Sequence, residues 1–141
     1  MNKLKSVCTI LAVLFLSLSC NARENQNLKK SGGIMKTYIS LSMNDGLKML
    51  SQSKNENSIL LDVRRPDEYK TGHIPGAVLF TNENITQEKA EKLIPSKNTK
   101  IFVYCRSGRR SKEASQKLSS YGYENVLEIG GILDYSGELE K

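Results

Sequence analysis

Cysteine is scarce, with three in 141 residues, too few to staple a small domain through a disulfide framework. Histidine is scarcer still, since His73 stands alone. The one carboxylate pair spaced for a single helical face, Asp134 and Glu138, has no further ligand beside it, which argues against a metal site. Tryptophan is missing, and the three Phe and six Tyr are not interleaved with basic residues as a single-strand nucleic-acid surface requires. The N-terminal apolar run, at positions 7–18, has 12 residues, too short for a membrane-spanning helix. No internal repeat or low-complexity block is present, and 141 residues suit one domain rather than two. What is there is a modest basic excess of +6. Its dense part is Arg106, Arg109, Arg110 and Lys112, with Arg64 and Arg65 elsewhere, and it reads as a local anion site.

The first residues form a separate unit. Lys3 and Lys5 precede the apolar run, and Ser19-Cys20 follows it, the layout of a secretory signal over residues 1–19. A cysteine at this junction resembles a bacterial lipobox, with Ser17 where that pattern usually carries Leu. The resemblance implies a diacylglycerol thioether on Cys20 and an exported protein held on the membrane, in the periplasm or at the cell surface. A plain cut, leaving a soluble periplasmic or secreted protein, is the alternative. Residues 20–36 are polar, with a Gly-Gly pair, and read as a flexible tether. Cys8 leaves with the signal, so Cys105 remains as a lone thiol, either buried and inert or kept for its chemistry.

From residue 37 to 141 short apolar runs alternate with helical periodicity. Strands are expected over residues 38–41, 58–63, 77–80, 100–104 and 125–129. Between them fall helices: one capped by Ser42 with Met43, Leu47 and Leu50 on one face, one opened by Pro66 and stopped at Gly72, one over 86–94, and one carrying Ala114, Leu118 and Tyr121. A short terminal helix follows Gly130-Gly131. This alternation predicts an α/β domain of three layers, a mainly parallel five-stranded sheet with helices on both faces. Ligands in such sheets sit at the carboxyl ends of strands, the edge on which Cys105 falls.

The run YCRSGRRS, residues 104–111, places that thiol where an apolar strand stops and a helix starts. The thiolate is the nucleophile, and three features would favour it. Backbone amides of a tight turn can converge on the sulfur, with Gly108 supplying an unusual dihedral. The next helix, starting near Arg109 or Arg110, directs its positive end there. The arginines add formal charge. Donors that hold a thiolate also hold an oxyanion, so the site selects anions that react with sulfur.

Four motifs, LLDVRRPDEYKTGHIPGAV (60–78), IFVYCRSGRRS (101–111), YGY (121–123) and NVLEIGGI (125–132), in this order and spacing, resemble the rhodanese, or sulfurtransferase, domain over about residues 37–135. The resemblance implies that Cys105 attacks a sulfur donor and carries the sulfur as a persulfide. Arg106, Ser107, Gly108, Arg109 and Arg110 would then complete a six-residue substrate-binding cradle. The donor would be a small thiosulfate-like anion and the acceptor cyanide or a thiol, with no metal or organic cofactor and no nucleic acid. The protein is expected to be a monomer. Thiosulfate-preferring loops often carry Lys where this chain has Ser107, and the family's Trp beyond Gly-Gly-Ile is replaced by Leu133-Asp134-Tyr135. Rhodanese-fold phosphatases and some arsenate reductases need five residues between Cys and Arg to cradle a tetrahedral anion. Here that position is Ser111 and Arg110 closes a shorter loop, which favours sulfur transfer. A binding or persulfide-carrying module of the envelope is the alternative.

Other residues receive lesser roles. His73 orders a turn beside Pro75 and Gly76. Arg64 either assists anion binding or forms an ion pair with Asp62 or Glu68. Lys112 and Lys117 face solvent by periodicity.

Overall fold

The computed structural model describes residues 38–53 and 56–141, and the expected signal, the Cys20 lipid site and the tether lie outside them. The elements follow the alternation read from the sequence. In chain order they are β1 (Ile39–Ser40), α1 (Met43–Gln52), β2 (Ser58–Asp62), α2 (Pro66–Thr71), β3 (Val78–Leu79), a 3-10 turn (Asn82–Asn84), α3 (Gln87–Leu93), β4 (Lys100–Cys105), α4 (Arg109–Ser120), β5 (Asn125–Gly131) and a second 3-10 turn (Ile132–Asp134). The five strands form one sheet in the order β1-β5-β4-β2-β3, and every pairing is parallel.

Strand β4 is central and covered on both faces, which is why IFVYC, after Lys100, reads as a continuous apolar run. Ile101, Val103 and Cys105 point to one face, where they pack with Ala90 and Ile94 of the α3 region and with Ala114 and Leu118 of α4. Phe102 and Tyr104 point to the other, against Met43 of α1 and Leu127 and Ile129 of β5. Each large apolar side chain buried this way contributes about 1.5–3 kcal/mol. The helix caps agree with the sequence. Ser42 Oγ accepts from the amide of Asp45 at 3.1 Å, Thr86 Oγ1 accepts from Lys89 at 3.3 Å, and Pro66 occupies the first turn of α2.

Several bounds differ from expectation, each for a physical reason. The edge strands β1 and β3 shorten to two residues each, since each has a partner on one side only. Strand β5 runs past Ile129 to Gly131 because a register shift keeps it paired: Val103 faces Glu128, whereas Cys105 faces Gly131. The terminal helix is a three-residue 3-10 turn. Asp134 and Glu138 therefore share no helical face, and Glu140 instead pairs its backbone with His73. Lys117 does not simply face solvent. Its Nζ donates to the carbonyl oxygen of Asn82 at 2.7 Å, tying α4 to the first 3-10 turn. Helix α4 lies close on the sheet through small residues, and the hydroxyls of Ser115 and Ser119 are buried without a hydrogen-bond partner among the described residues.

Candidate active site

The carboxyl end of β4 delivers Cys105 to the sheet edge, and the chain turns within three residues into α4. Gly108 makes that turn possible with φ +93° and ψ −15°, a left-handed conformation that costs other L-residues about 1–2 kcal/mol. The turn aims the Gly108 amide at Cys105 Sγ, 3.1 Å away. The twelve-residue helix α4 begins at Arg109, so its positive end lies beside the same sulfur. The loop is held from behind by β5. The amide of Leu133 donates to the carbonyl oxygen of Arg106 at 3.3 Å, and a Cβ on Gly131 would stand 2.4 Å from that oxygen and 2.6 Å from Ser107 Cα. Gly131 is thus fixed by close backbone approach, the physical content of the Gly-Gly pair.

Cys105 is 1% exposed and contributes to the wall of a cavity of about 400 Å³, together with Arg106, Ser107, Arg109 and Arg110 of the loop. Of the residues expected to form the cradle, Arg106, Ser107, Arg109 and Arg110 thus share a cavity wall with Cys105, while Gly108 makes the turn and does not line the cavity. The cavity has further walls that the sequence reading missed, Arg65, Asp67 and Glu68 from the start of α2 and Glu83 from the first 3-10 turn. Pro66 at the head of α2 was legible, but nothing local in the sequence said that α2 would close over the cysteine loop.

The arginines are not equivalent. Arg110 makes a two-pronged ion pair with Glu68, at 2.6 and 2.8 Å. Arg109 pairs along its own helix with Glu113 at 2.7 Å and is mostly exposed. Arg65 and Arg106 are exposed and make no ion pair among the described residues, which leaves their charge available to a ligand. The hydrogen bond from Arg110 is the main reason that the Glu68 carboxyl falls from 4.5 to about 2; partial burial opposes it, and the Arg65 amide and the Arg110 charge assist. The same hydrogen bond raises Arg110 from its ordinary value, against some desolvation.

A carboxyl depressed on folding stabilises the protein above its unfolded value and loses that contribution as pH falls through the folded one. Between pH 4.5 and 2 the native protein is accordingly expected to lose stability that a Glu68→Gln variant lacks at every pH, on the order of 1 kcal/mol after solvent screening. Melting temperatures of the two proteins followed from pH 7 downward check this: the curves should converge toward pH 2, and a constant gap would contradict the assignment.

Arg64 is placed elsewhere. Its guanidinium is buried against the Asp62 carboxylate, with Nη2 to Oδ2 at 2.6 Å, and also donates to the carbonyl oxygen of Gly72 at 2.8 Å. Tyr104 donates to the same carboxylate at 2.7 Å, its phenol raised by burial first and then by the Asp62 charge. Asp62 is in register with Tyr104, and Tyr104 and Cys105 belong to opposite faces of the sheet. Arg64 therefore does not line the Cys105 cavity; it locks the β2–α2 connection, and Glu68, the other partner considered for it, binds Arg110. Removing one member of so buried a pair costs about 3–5 kcal/mol. His73 likewise lies off the cavity. Its ring stacks on Tyr69 at 3.7 Å and its backbone pairs with Glu140, in keeping with a turn-ordering role.

Comparison with known proteins agrees with this geometry. The sequence profile of the rhodanese-like domain matches residues 44–138. Thiosulfate sulfurtransferase PspE of Escherichia coli (strain K12) is 36% identical over 74 residues, covering 52% of this chain and 70% of that protein. A tRNA uridine(34) hydroxylase of Leptospira interrogans is 36% identical over 92 residues, 62% of this chain but only 25% of the hydroxylase's length. Among solved structures, a rhodanese with anions from E. coli superposes with a TM-score of 0.55 at 33% identity, covering 60% of this chain and 98% of that one. With its parallel five-stranded sheet and a cysteine loop at the head of α4, the chain belongs to the rhodanese-like domain family.

Proposed function

We propose that this protein is a sulfurtransferase that moves a sulfane sulfur from a small anionic donor such as thiosulfate to a thiophilic acceptor, cyanide or a thiol, through a Cys105 persulfide. The observation that carries the reading is the Cys105 sulfur held 3.1 Å from the Gly108 amide at the positive end of α4, on a cavity walled by four arginines. Cys105 attacks the outer sulfur of the donor, sulfite leaves, and the acceptor then takes the sulfur from the persulfide. Arg106 and Arg65, free of ion pairs among the described residues, offset the donor's charge, and the Gly108 amide stabilises the negative sulfur in both half-reactions. Arg110, already neutralised by Glu68, shapes the cavity more than it charges it.

A PspE relative named thiosulfate sulfurtransferase supports the donor class. The six-residue loop that closes on Arg110 supports sulfur over phosphate, whose cradle needs one residue more. The same proposal includes export and a lipid anchor at Cys20, with the domain acting as a monomer at the envelope. The test is a paired assay on the full chain: thiocyanate formation from thiosulfate and cyanide, and hydrolysis of an aryl phosphate. Cysteine-dependent thiocyanate without phosphate release is expected. The reverse pattern would assign the site to phosphoryl chemistry.

A further inference from the structure

Beside Cys105, outside the lining of the cavity, lies a buried acidic group that the sulfur chemistry above does not use. Ser111, in the first turn of α4, is fully buried, and its Oγ lies 3.6 Å from Cys105 Sγ and 2.7 Å from Glu128 Oε1. The carbonyl oxygens of Gly108 and Gly130 lie 2.9 and 3.4 Å from the same Oγ. Glu128, in register with Val103 on the Cys105 face of the sheet, is 2% exposed. Besides Ser111 it accepts from the Gly130 amide at 2.9 Å and, through Oε2, from Ser40 Oγ at 3.0 Å. No Lys or Arg pairs with it among the described residues. A carboxylate buried with neutral donors only is costly; the hydrogen bonds that it accepts tie Ser40, Ser111 and the Gly130 amide to β5.

The hydroxyl between the two groups has a single proton. With Glu128 ionised, its carboxylate accepts that proton, and the Ser111 oxygen is left to accept from the Cys105 thiol. With Cys105 as the thiolate, the hydroxyl turns toward sulfur and the proton rests on Glu128. Two negative charges on either side of one hydroxyl repel strongly in a dry interior, so the arrangement favours one proton shared between them.

We propose that Glu128, acting through Ser111, is the positioning residue that stores the Cys105 proton during sulfur transfer; this rests on the sulfurtransferase reading above. In the first half-reaction the thiol proton passes through Ser111 to Glu128 as Cys105 Sγ bonds to the outer sulfur of thiosulfate. The donor's sulfur–sulfur bond breaks and sulfite leaves with the electron pair, so the persulfide forms as its anion. In the second, cyanide bonds to that outer sulfur, the Cys105–sulfur bond breaks with its electrons returning to Sγ, and Glu128 gives the proton back. No outside oxidant, reductant or base is needed.

The test does not depend on turnover. Alkylation of Cys105 by iodoacetamide in the full chain is followed from about pH 5 to 9 on the peptide containing Cys105, for the native protein, Glu128→Gln and Ser111→Ala. A shared proton gives the native protein a reactive form whose amount is independent of pH between the two macroscopic ionisations of the pair. Its rate should therefore show a shelf on the acid side of the main rise. In Glu128→Gln the shelf should vanish, and below the ionisation of the thiol the rate should fall about tenfold per pH unit; in Ser111→Ala, where the two charges still repel but lose their common hydrogen bond, the shelf should remain at a changed height. The charged groups facing Cys105 from other elements, Arg65, Asp67 and Glu68 of α2 and Glu83 of the 3-10 turn, with Arg106, Arg109 and Arg110 beside it and Asp134 near Gly130, are the same in all three proteins and cannot produce the difference. A native profile that rises in one step would overturn the proposal even if neither variant folds, as would a Glu128→Gln variant that keeps the shelf or a Ser111→Ala variant whose shelf is unchanged in height. A shelf in a protein that forms no persulfide would keep the relay and remove the sulfurtransferase reading instead.

Discussion

Cys105→Ser is expected to reduce thiocyanate formation from thiosulfate and cyanide by at least ~10³-fold, to the uncatalysed background, because the reaction passes through a covalent intermediate on that sulfur. The fold should survive. Serine occupies nearly the same volume, the Gly108 amide can donate to its oxygen as it does to sulfur, and the Ser111 hydroxyl is at hand. A stability change of about 1 kcal/mol is the most that one altered hydrogen bond requires. Equal melting temperatures with lost activity would place the effect in the chemistry. A serine variant that keeps a substantial part of the rate would mean that the cavity performs some other reaction.

Gly131→Ala is expected to have the second largest effect, although residue 131 does not line the Cys105 cavity. Its φ of −120° suits any residue, so the constraint is one of space. The added methyl would overlap the Arg106 carbonyl and the Ser107 backbone, neither of which can swing aside as a side chain could. The cysteine loop must move outward, taking with it the Gly108 amide and the head of α4. Overpacking of this kind costs about 1–3 kcal/mol, and a displacement near 1 Å at a reacting group costs about 10²-fold in rate. Comparing kcat/KM with the melting temperature separates the two. A loss of stability with an unchanged rate per folded molecule would show that β5 does not set the loop's position.

The sequence announces the fold where burial is two-sided or a backbone signal is strong. IFVYC is a core strand because no charged residue interrupts it, and Ser42, Thr86 and Pro66 mark helix starts through requirements that the backbone imposes anywhere. It is less informative at the edges: the register shift that extends β5 to Gly131 depends on pairing with β4, which no local pattern records. The loop residues 105–110 were legible as one cradle because they are contiguous. The far wall was not, since Arg65, Asp67, Glu68 and Glu83 reach the cavity only through the order of strands. Arg64 illustrates the opposite case. The register of Asp62 with Tyr104 puts Asp62 on the face away from Cys105, and Arg64, two residues beyond it and past the end of β2, follows through its ion pair with that carboxylate. Glu128 did leave a signal, a charged residue within the apolar run VLEI, but the place of Ser111 between it and the thiol depends on how α4 packs on β5, which no local pattern records.

The most direct test of the central claim is the mass of the full chain before and after exposure to thiosulfate, and again after cyanide. The account predicts a gain of one sulfur, about 32 Da, located on the peptide containing Cys105 and removed by cyanide, as covalent catalysis by the thiolate requires. A reduced, accessible Cys105 that gains no sulfur from thiosulfate or from a second sulfane donor would contradict it.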